Sequence, residues 1–456
     1  MKEKLLYENL NAAEVMEQKD IETAFEFAKD YTCFLKSSKT EREATKFVLN
    51  IASQRGFKPF NYSTVYNAGE KLFFNNRGKA CILAILGKKT VDNGVRIIAS
   101  HIDSPRLDLK PRPLYQDAHM AFFKTHYYGG IKKYQWPTIQ LALHGTVIKG
   151  DGTSVDVCIG EDPQDPVFYI NDLLPHLDRN AQKKIGEAVP AENLNLLVGS
   201  LTVDSKEKEG IKLKVLEYLK EKYSITEEDF FSAELCAVPA ADPRDVGFDR
   251  SLIAAYGHDD RVCAYASLMA MLDIETVPEQ TLICVFADKE ETGSNSSTGL
   301  NTMFLADFIS ELAHMQGVNE RKAWYMTKCL SADVNACYDP NFPEVYEKLN
   351  SCYINHGVVL TKYTGSGGKS STNDASAEFV GEVRKTLNDH GVCWQSAELG
   401  KTDVGGGGTV AKYIAQFNAD VIDIGVPVLS MHAPIEVISK LDLYNTYLAF
   451  KAFWDC

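Results

Sequence analysis

No two cysteines in this 456-residue chain form a C-x-x-C pair, although there are 11 of them. Their scatter from Cys33 to Cys456, and their odd number, exclude a disulfide framework and a thiolate zinc cluster. Several lie inside apolar segments, where a buried free thiol is ordinary. Long apolar runs are missing too: nothing approaches the roughly 20 residues that a membrane-spanning helix requires. The N-terminus, Met1-Lys2-Glu3-Lys4-Leu5-Leu6, has neither an apolar core nor a small-residue cleavage site, which reads against a secretory signal. Positive charge is in deficit, with 48 Lys and Arg against 62 Asp and Glu and a net charge of −14. That balance argues against nucleic acid or an anionic membrane as partner. The expected compartment is the cytoplasm.

What is present suffices for a large interior: 45% of residues are hydrophobic and 10% aromatic. At this length two or three domains are expected. Residues 9–52 read as two amphipathic helices, with Val15, Phe25, Phe27 and Ala28 on the apolar face of the first. Apolar runs at 71–74, 80–86 and 95–99 read as strands. From about Pro105 to Asp249 the chain becomes proline-punctuated and aromatic-rich. It contains an expected hairpin (139–148 with 154–159, turning at Gly150-Asp151-Gly152) and a charged helix at 206–223. This stretch reads as an inserted, strand-rich domain. Beyond it helices (260–273, 300–315, 374–390, 439–453) alternate with strands (282–286, 323–330, 352–360, 421–424, 428–430), the pattern of an α/β, mixed sheet.

The run Leu282-Ile283-Cys284-Val285-Phe286 stops at Ala287-Asp288-Lys289-Glu290-Glu291. Two carboxylates at the mouth of a buried strand are costly unless cations or protons balance them. His101, Glu290, Glu291 and Asp333 each follow an apolar run within a few residues. In an open α/β sheet the binding crevice lies beyond the carboxyl ends of the strands, so these side chains are expected to meet. Taken singly each has an ordinary explanation: a loop histidine, surface glutamates, or, for Asp259, a helix cap. Together with His432, which lies close to its own apolar segment, they give the two His, two Asp and one Glu of a mixed N/O ligand set for a dinuclear centre. Such a centre needs one more carboxylate off the metals as general base, and the Glu290–Glu291 pair offers one of each kind.

Five motifs in order, His101-Ile102-Asp103-Ser104-Pro105, Asp259-Asp260-Arg261, Glu290-Glu291-Thr292-Gly293-Ser294, Ser331-Ala332-Asp333 and Ser430-Met431-His432, carry a resemblance over nearly the whole chain. They resemble the aspartyl aminopeptidase group, family 18 of the metallopeptidases with cocatalytic zinc. The resemblance implies a three-layer, mixed-sheet zinc-exopeptidase domain at 1–104 and 250–456, with an inserted β-rich dimerisation domain at 105–249. It implies two divalent ions, zinc with cobalt or manganese as substitutes. His101 and Asp333 would serve one ion, Glu291 and His432 the other, with Asp259 bridging and the Asp259–Asp260 peptide cis. Glu290 becomes the general base and Asp103 the carboxylate that fixes the His101 ring. His176 is the closest local match to a histidine that a neighbouring subunit contributes to the oxyanion; His126 and His144 are ordinary by comparison.

The implied activity is release of one N-terminal residue, acidic residues included, from short peptides with a free N-terminus. The implied assembly is a homo-oligomer of dimers forming a tetrahedral dodecamer. Lys362 or Lys369 could meet an acidic substrate side chain, and Gly407 and Gly408 could bring backbone N–H groups to it. Two other readings compete: a carboxypeptidase or amidohydrolase on the same scaffold, and a catalytically silent scaffold or cargo protein. The stretch Gly365-Ser366-Gly367-Gly368-Lys369-Ser370 resembles a phosphate loop but has Tyr363 where the first glycine belongs.

Overall fold

A computed structural model describes residues 5–177 and 184–455. Cys456, counted above, lies outside them, as do Met1–Lys4. The chain divides into two compact units: one holds the chain up to Asp103, Pro243–Met431 and the chain from Glu436 on, the other Ser104–Asp242 and His432–Ile435.

The first unit is built on a nine-stranded mixed sheet. Its order is Lys58–Pro59, Lys71–Asn76, Ala80–Ile85, Thr281–Ala287, Val95–His101, Lys328–Ala332, Asp420–Gly425, Val358–Thr361 and Trp394–Ser396. The four central strands, Thr281–Ala287 to Asp420–Gly425, run parallel. Parallel strands are covered on both faces and therefore read as continuous apolar runs. Alternate residues of Val95–His101 serve opposite layers. Val95, Ile97 and Ala99 pack with Phe304, Phe308 and Leu312 of the helix Phe304–Met315. Ile98 packs instead with the layer of Gln18–Lys36, His258–Leu272 and Lys440–Trp454. This is a three-layer α/β fold. Among the described residues no helix is long and apolar enough to cross a membrane.

The second unit is a six-stranded antiparallel sheet in the order Ser154–Ile159, Leu141–Ile148, Ala233–Pro239, Arg106–Asp117, Met120–Tyr128 and Leu196–Gly199. The Leu141–Ile148 and Ser154–Ile159 strands form a hairpin. The helix Gly210–Tyr223 packs Ile211 and Leu219 into the same core as Phe123, Leu143 and the buried Trp136.

Three local expectations need correction. Residues 323–330 are not one strand: Asn319 accepts the Lys322 N–H and caps a helix, Glu320–Tyr325, and the strand starts at Lys328. The cap outweighs the apolar run because it satisfies an otherwise unpaired helix N–H. The expected strand at 352–360 is reduced to Val358–Thr361, since Gly357 at φ 80° breaks the extended backbone before it. Val15 is not on the apolar face of the first long helix. It ends a separate short helix, Ala12–Val15, and is 47% exposed.

Candidate metal centre

Register brings the carboxyl ends of the central strands level. Ala287 pairs with His101 and Ser331 with Ala99, so Asp333, two residues on, stands beside His101. His101 is 1% exposed. Its Nδ1 lies 3.0 Å from the Asp103 carbonyl oxygen, and its Nε2 lies 3.1 Å from Asp259 Oδ1 and 3.9 Å from Asp333 Oδ1. A carbonyl oxygen only accepts, so Nδ1 carries a hydrogen and Nε2 of the neutral ring presents its lone pair to carboxylates. That arrangement is repulsive unless a proton or a metal ion lies between them. Burial lowers the His101 pKa, but hydrogen bonds to Asp103 and Asp259 outweigh it and hold the ring well above the usual histidine range.

Asp259 and Asp260 open the helix His258–Leu272, and the peptide bond between them is cis. The Asp259 N–H donates to Glu436 Oε2 at 3.0 Å, and Asp260 Oδ2 accepts the His101 N–H at 3.2 Å. Beneath them His258 accepts from the Tyr31 hydroxyl at 2.8 Å and donates to the Ile253 carbonyl at 3.1 Å. Burial pushes this ring down to about 3, so it stays neutral and acts as a fixed support. Burial first, and then Asp260, hold Asp333 far above the carboxylate range; burial does the same to Asp260.

The acid pair is set by Asp103. Its Oδ1 accepts the Glu290 N–H at 3.1 Å and its Oδ2 the Glu291 N–H at 3.2 Å. Lys289 at φ 69° and Gly293 at φ 90° bracket the turn Glu290–Thr292. Asp288, behind it, accepts from Thr298 at 2.6 Å and is pushed up to about 7, by burial and then by Glu41.

Donor atoms of His101, Asp259 and Glu291 lie within 4.8 Å of one another, and so do those of His101, Asp260 and Asp333. Both groups draw on the one lone pair of His101 Nε2, which serves a single ion; their N/O donors suit divalent zinc, and a bound cation would offset the buried carboxylate charge. The structure thus brings together four of the five expected ligands, His101, Asp259, Glu291 and Asp333. The fifth, His432, belongs to the second unit, where its Nδ1 lies 3.1 Å from the Gly130 carbonyl oxygen. Asp260 is a donor that sequence reasoning passed over; its signal was its place next to Asp259. His176 lies exposed in a turn of the second unit.

The weaker candidates have other engagements. Lys362 and Lys369 both pair with Asp374, at 2.5 and 3.0 Å, and Lys369 also sits 3.7 Å from the Tyr363 ring centre. The Gly407 N–H donates to the Thr364 carbonyl at 2.9 Å, and a Cβ on Gly408 would meet Lys412 Nζ at 3.0 Å. Residues 365–370 close on themselves through a Ser366–Ser370 bridge, and the next helix begins only at Ala377.

One glycine guards the centre. A Cβ on Gly425 would stand 1.9 Å from the Asp333 carbonyl oxygen. Gly425→Ala is expected to destabilise the protein by about 1–3 kcal/mol through overpacking, read as a lower denaturant midpoint.

Comparison with known proteins places the chain in a family. The family model described as aminopeptidase I zinc metalloprotease (M18) matches residues 34–454. A probable M18 family aminopeptidase 1 of Borrelia garinii is 46% identical over 438 residues, covering 94% of this chain and 96% of that protein. The crystal structure of an M18 aminopeptidase from Thermotoga maritima superposes with a TM-score of 0.94 at 44% identity, over 99% of this chain and 100% of that one. At 22% identity the mApe1 dodecamer of S. cerevisiae shares the fold, with a TM-score of 0.77 over 96% of this chain and 97% of its own. The chain belongs to the M18 family of zinc metalloproteases and is a metal-dependent aminopeptidase.

Proposed function

We propose that this enzyme removes one residue at a time from the free N-terminus of short peptides, using two divalent cations per chain. Zinc is the expected metal, with cobalt or manganese as substitutes, and His101, Asp259, Glu291, Asp333 and His432 would hold the pair. The observation that carries the reading is the gathering of four carboxylates, Asp259, Asp260, Glu291 and Asp333, around His101, with the Glu290–Glu291 turn hung on Asp103. When bound, such ions make a water acidic near neutral pH and polarise a carbonyl. The Glu290 carboxylate then takes the proton of the attacking water and hands it to the leaving amine nitrogen. Asp103 keeps that carboxylate aimed by holding its backbone. His176 from a neighbouring subunit would stabilise the oxyanion.

The carboxylate excess around His101 also favours a substrate that brings a positive α-ammonium group. An acidic first residue could reach Lys362 or Lys369 only by displacing Asp374, which supports a broader preference than acidic residues alone. Gly407 and Gly408 would act by shaping this wall, because the Gly407 N–H is already engaged.

The second unit supports assembly. A groove of about 520 Å³, lined by Leu143, Ile159 and Phe168, runs beside exposed Val167, Tyr169 and Leu201. We read it as the part that builds dimers and, from them, a dodecamer in the cytoplasm. The deciding experiment compares a free peptide with its N-acetylated and C-amidated forms on enzyme stripped of metal and reloaded with zinc. Acetylation should abolish cleavage, and amidation should leave it unchanged. The reverse pattern would establish the carboxypeptidase alternative.

A further inference from the structure

Cys337 and Cys352 stand opposite each other in a parallel bridge, outside the metal centre. The strand that leaves Asp333 pairs at Asn335–Ala336 with Pro427–Val428, and the Cys337 N–H donates to the Val428 carbonyl at 2.9 Å. The chain then makes the excursion 338–351 and returns at Cys352, whose carbonyl accepts the Tyr338 N–H at 2.8 Å. Bridged residues in neighbouring strands have Cα atoms about 4.8 Å apart and side chains on one face. A disulfide spans Cα separations of about 4.4–6.8 Å, so a bridged pair lies within its reach.

Both thiols are buried, in a small apolar cluster with Val359 and Ala397. Cys352 Sγ donates to the Ala336 carbonyl at 3.3 Å and to Asn335 Oδ1 at 3.7 Å; Cys337 Sγ donates to the Tyr338 carbonyl at 3.8 Å. Burial, and then the adjoining Cys337 thiol, hold Cys352 well above the ordinary thiol range, so that thiol is inert while buried. The excursion carries Phe342 and Leu349 exposed, the latter at 87%, and segments with few buried contacts open first. The other neighbouring thiols, Cys81 and Cys284, do not face each other: Cys81 pairs with Phe286 and Cys284 with Leu83.

We propose that Cys337 and Cys352 form a reversible redox staple, closed by exchange with a low-molecular-weight disulfide when the excursion opens. One thiol loses its proton and attacks a sulfur of the small disulfide, giving a mixed disulfide and one released thiolate. The second thiolate attacks the protein sulfur of that mixed disulfide, releasing the other small thiolate. The two cysteines are oxidised by two electrons, the small disulfide is reduced to two thiols, and the two protons go to the released thiolates. Closure removes the Cys352 hydrogen from Asn335, whose Nδ2 also holds Thr361 Oγ1 at 2.7 Å, two residues from Asp333.

The test uses the metal-loaded wild-type chain in oxidised glutathione, warmed to just below its melting midpoint, then alkylated in denaturant and digested without reductant. The expected product is one linked peptide joining Cys337 to Cys352, lighter by two hydrogens than its parts and split by dithiothreitol. Exposed Cys33 and Cys158 should carry glutathione instead. The melting midpoint should rise by a few degrees, and Cys352→Ala should lose that rise. Alkyl label on both Cys337 and Cys352, or a link from either to a different cysteine, overturns the proposal. Should Cys352→Ala fold poorly, the wild-type peptide map decides alone.

Discussion

Glu290→Gln is expected to lower turnover about 10²–10⁴-fold while the protein keeps its full metal complement, the range by which a positioned general base accelerates proton transfer. Glutamine preserves the shape of the side chain and the N–H that Asp103 accepts, so the turn should survive the change. What it loses is an oxygen able to take a proton from water at neutral pH. The measurement is turnover beside metal content per chain. Metal lost together with activity would mean that Glu290 ligates, and the roles of Glu290 and Glu291 would then exchange.

Asp103→Asn is expected to weaken metal binding about 10–100-fold, as loss of a partner behind a ligating histidine generally does. Two N–H groups, from Glu290 and Glu291, point at its two oxygens. An amide offers one oxygen and turns an NH₂ toward the second donor, so one buried N–H is left facing another. The contact of the carboxylate with the His101 ring, 3.4 Å to Nδ1, is weakened at the same time. The bond from Nδ1 to the Asp103 carbonyl remains, and so the ring keeps its tautomer. Competition with a chelator reads the affinity; an unchanged chelator midpoint would reduce Asp103 to a purely structural residue.

Much of the scaffold was legible because each level of the sequence agreed with the next. Thr281–Ala287 and Val95–His101 are apolar throughout, since both faces of a central parallel strand are covered. The helix Phe304–Met315 shows its apolar stripe, and the order of the five motifs pointed to the family. The misread segments failed for local reasons. Ala323-Trp324 is as apolar as a strand, but one side-chain cap at Asn319 commits it to a helix. A single Gly357 at positive φ cut a strand short that composition alone would extend.

The functional residues divide in a similar way. An ionisable side chain following an apolar run announces a strand end, which is why His101, Glu291 and Asp333 could be picked out by position along the chain. Nothing along the chain says that Asp103 faces two backbone N–H groups or that Asp260 takes the His101 N–H. Nor does it say that Asp374 pairs with both Lys362 and Lys369. Sequence therefore determined the central apolar strands, the order of the motifs and the kind of chemistry they carry, because periodicity and residue type are properties of a single segment. The tertiary structure decided which oxygen meets which hydrogen, because strand register and loop closure depend on residues far apart in the chain.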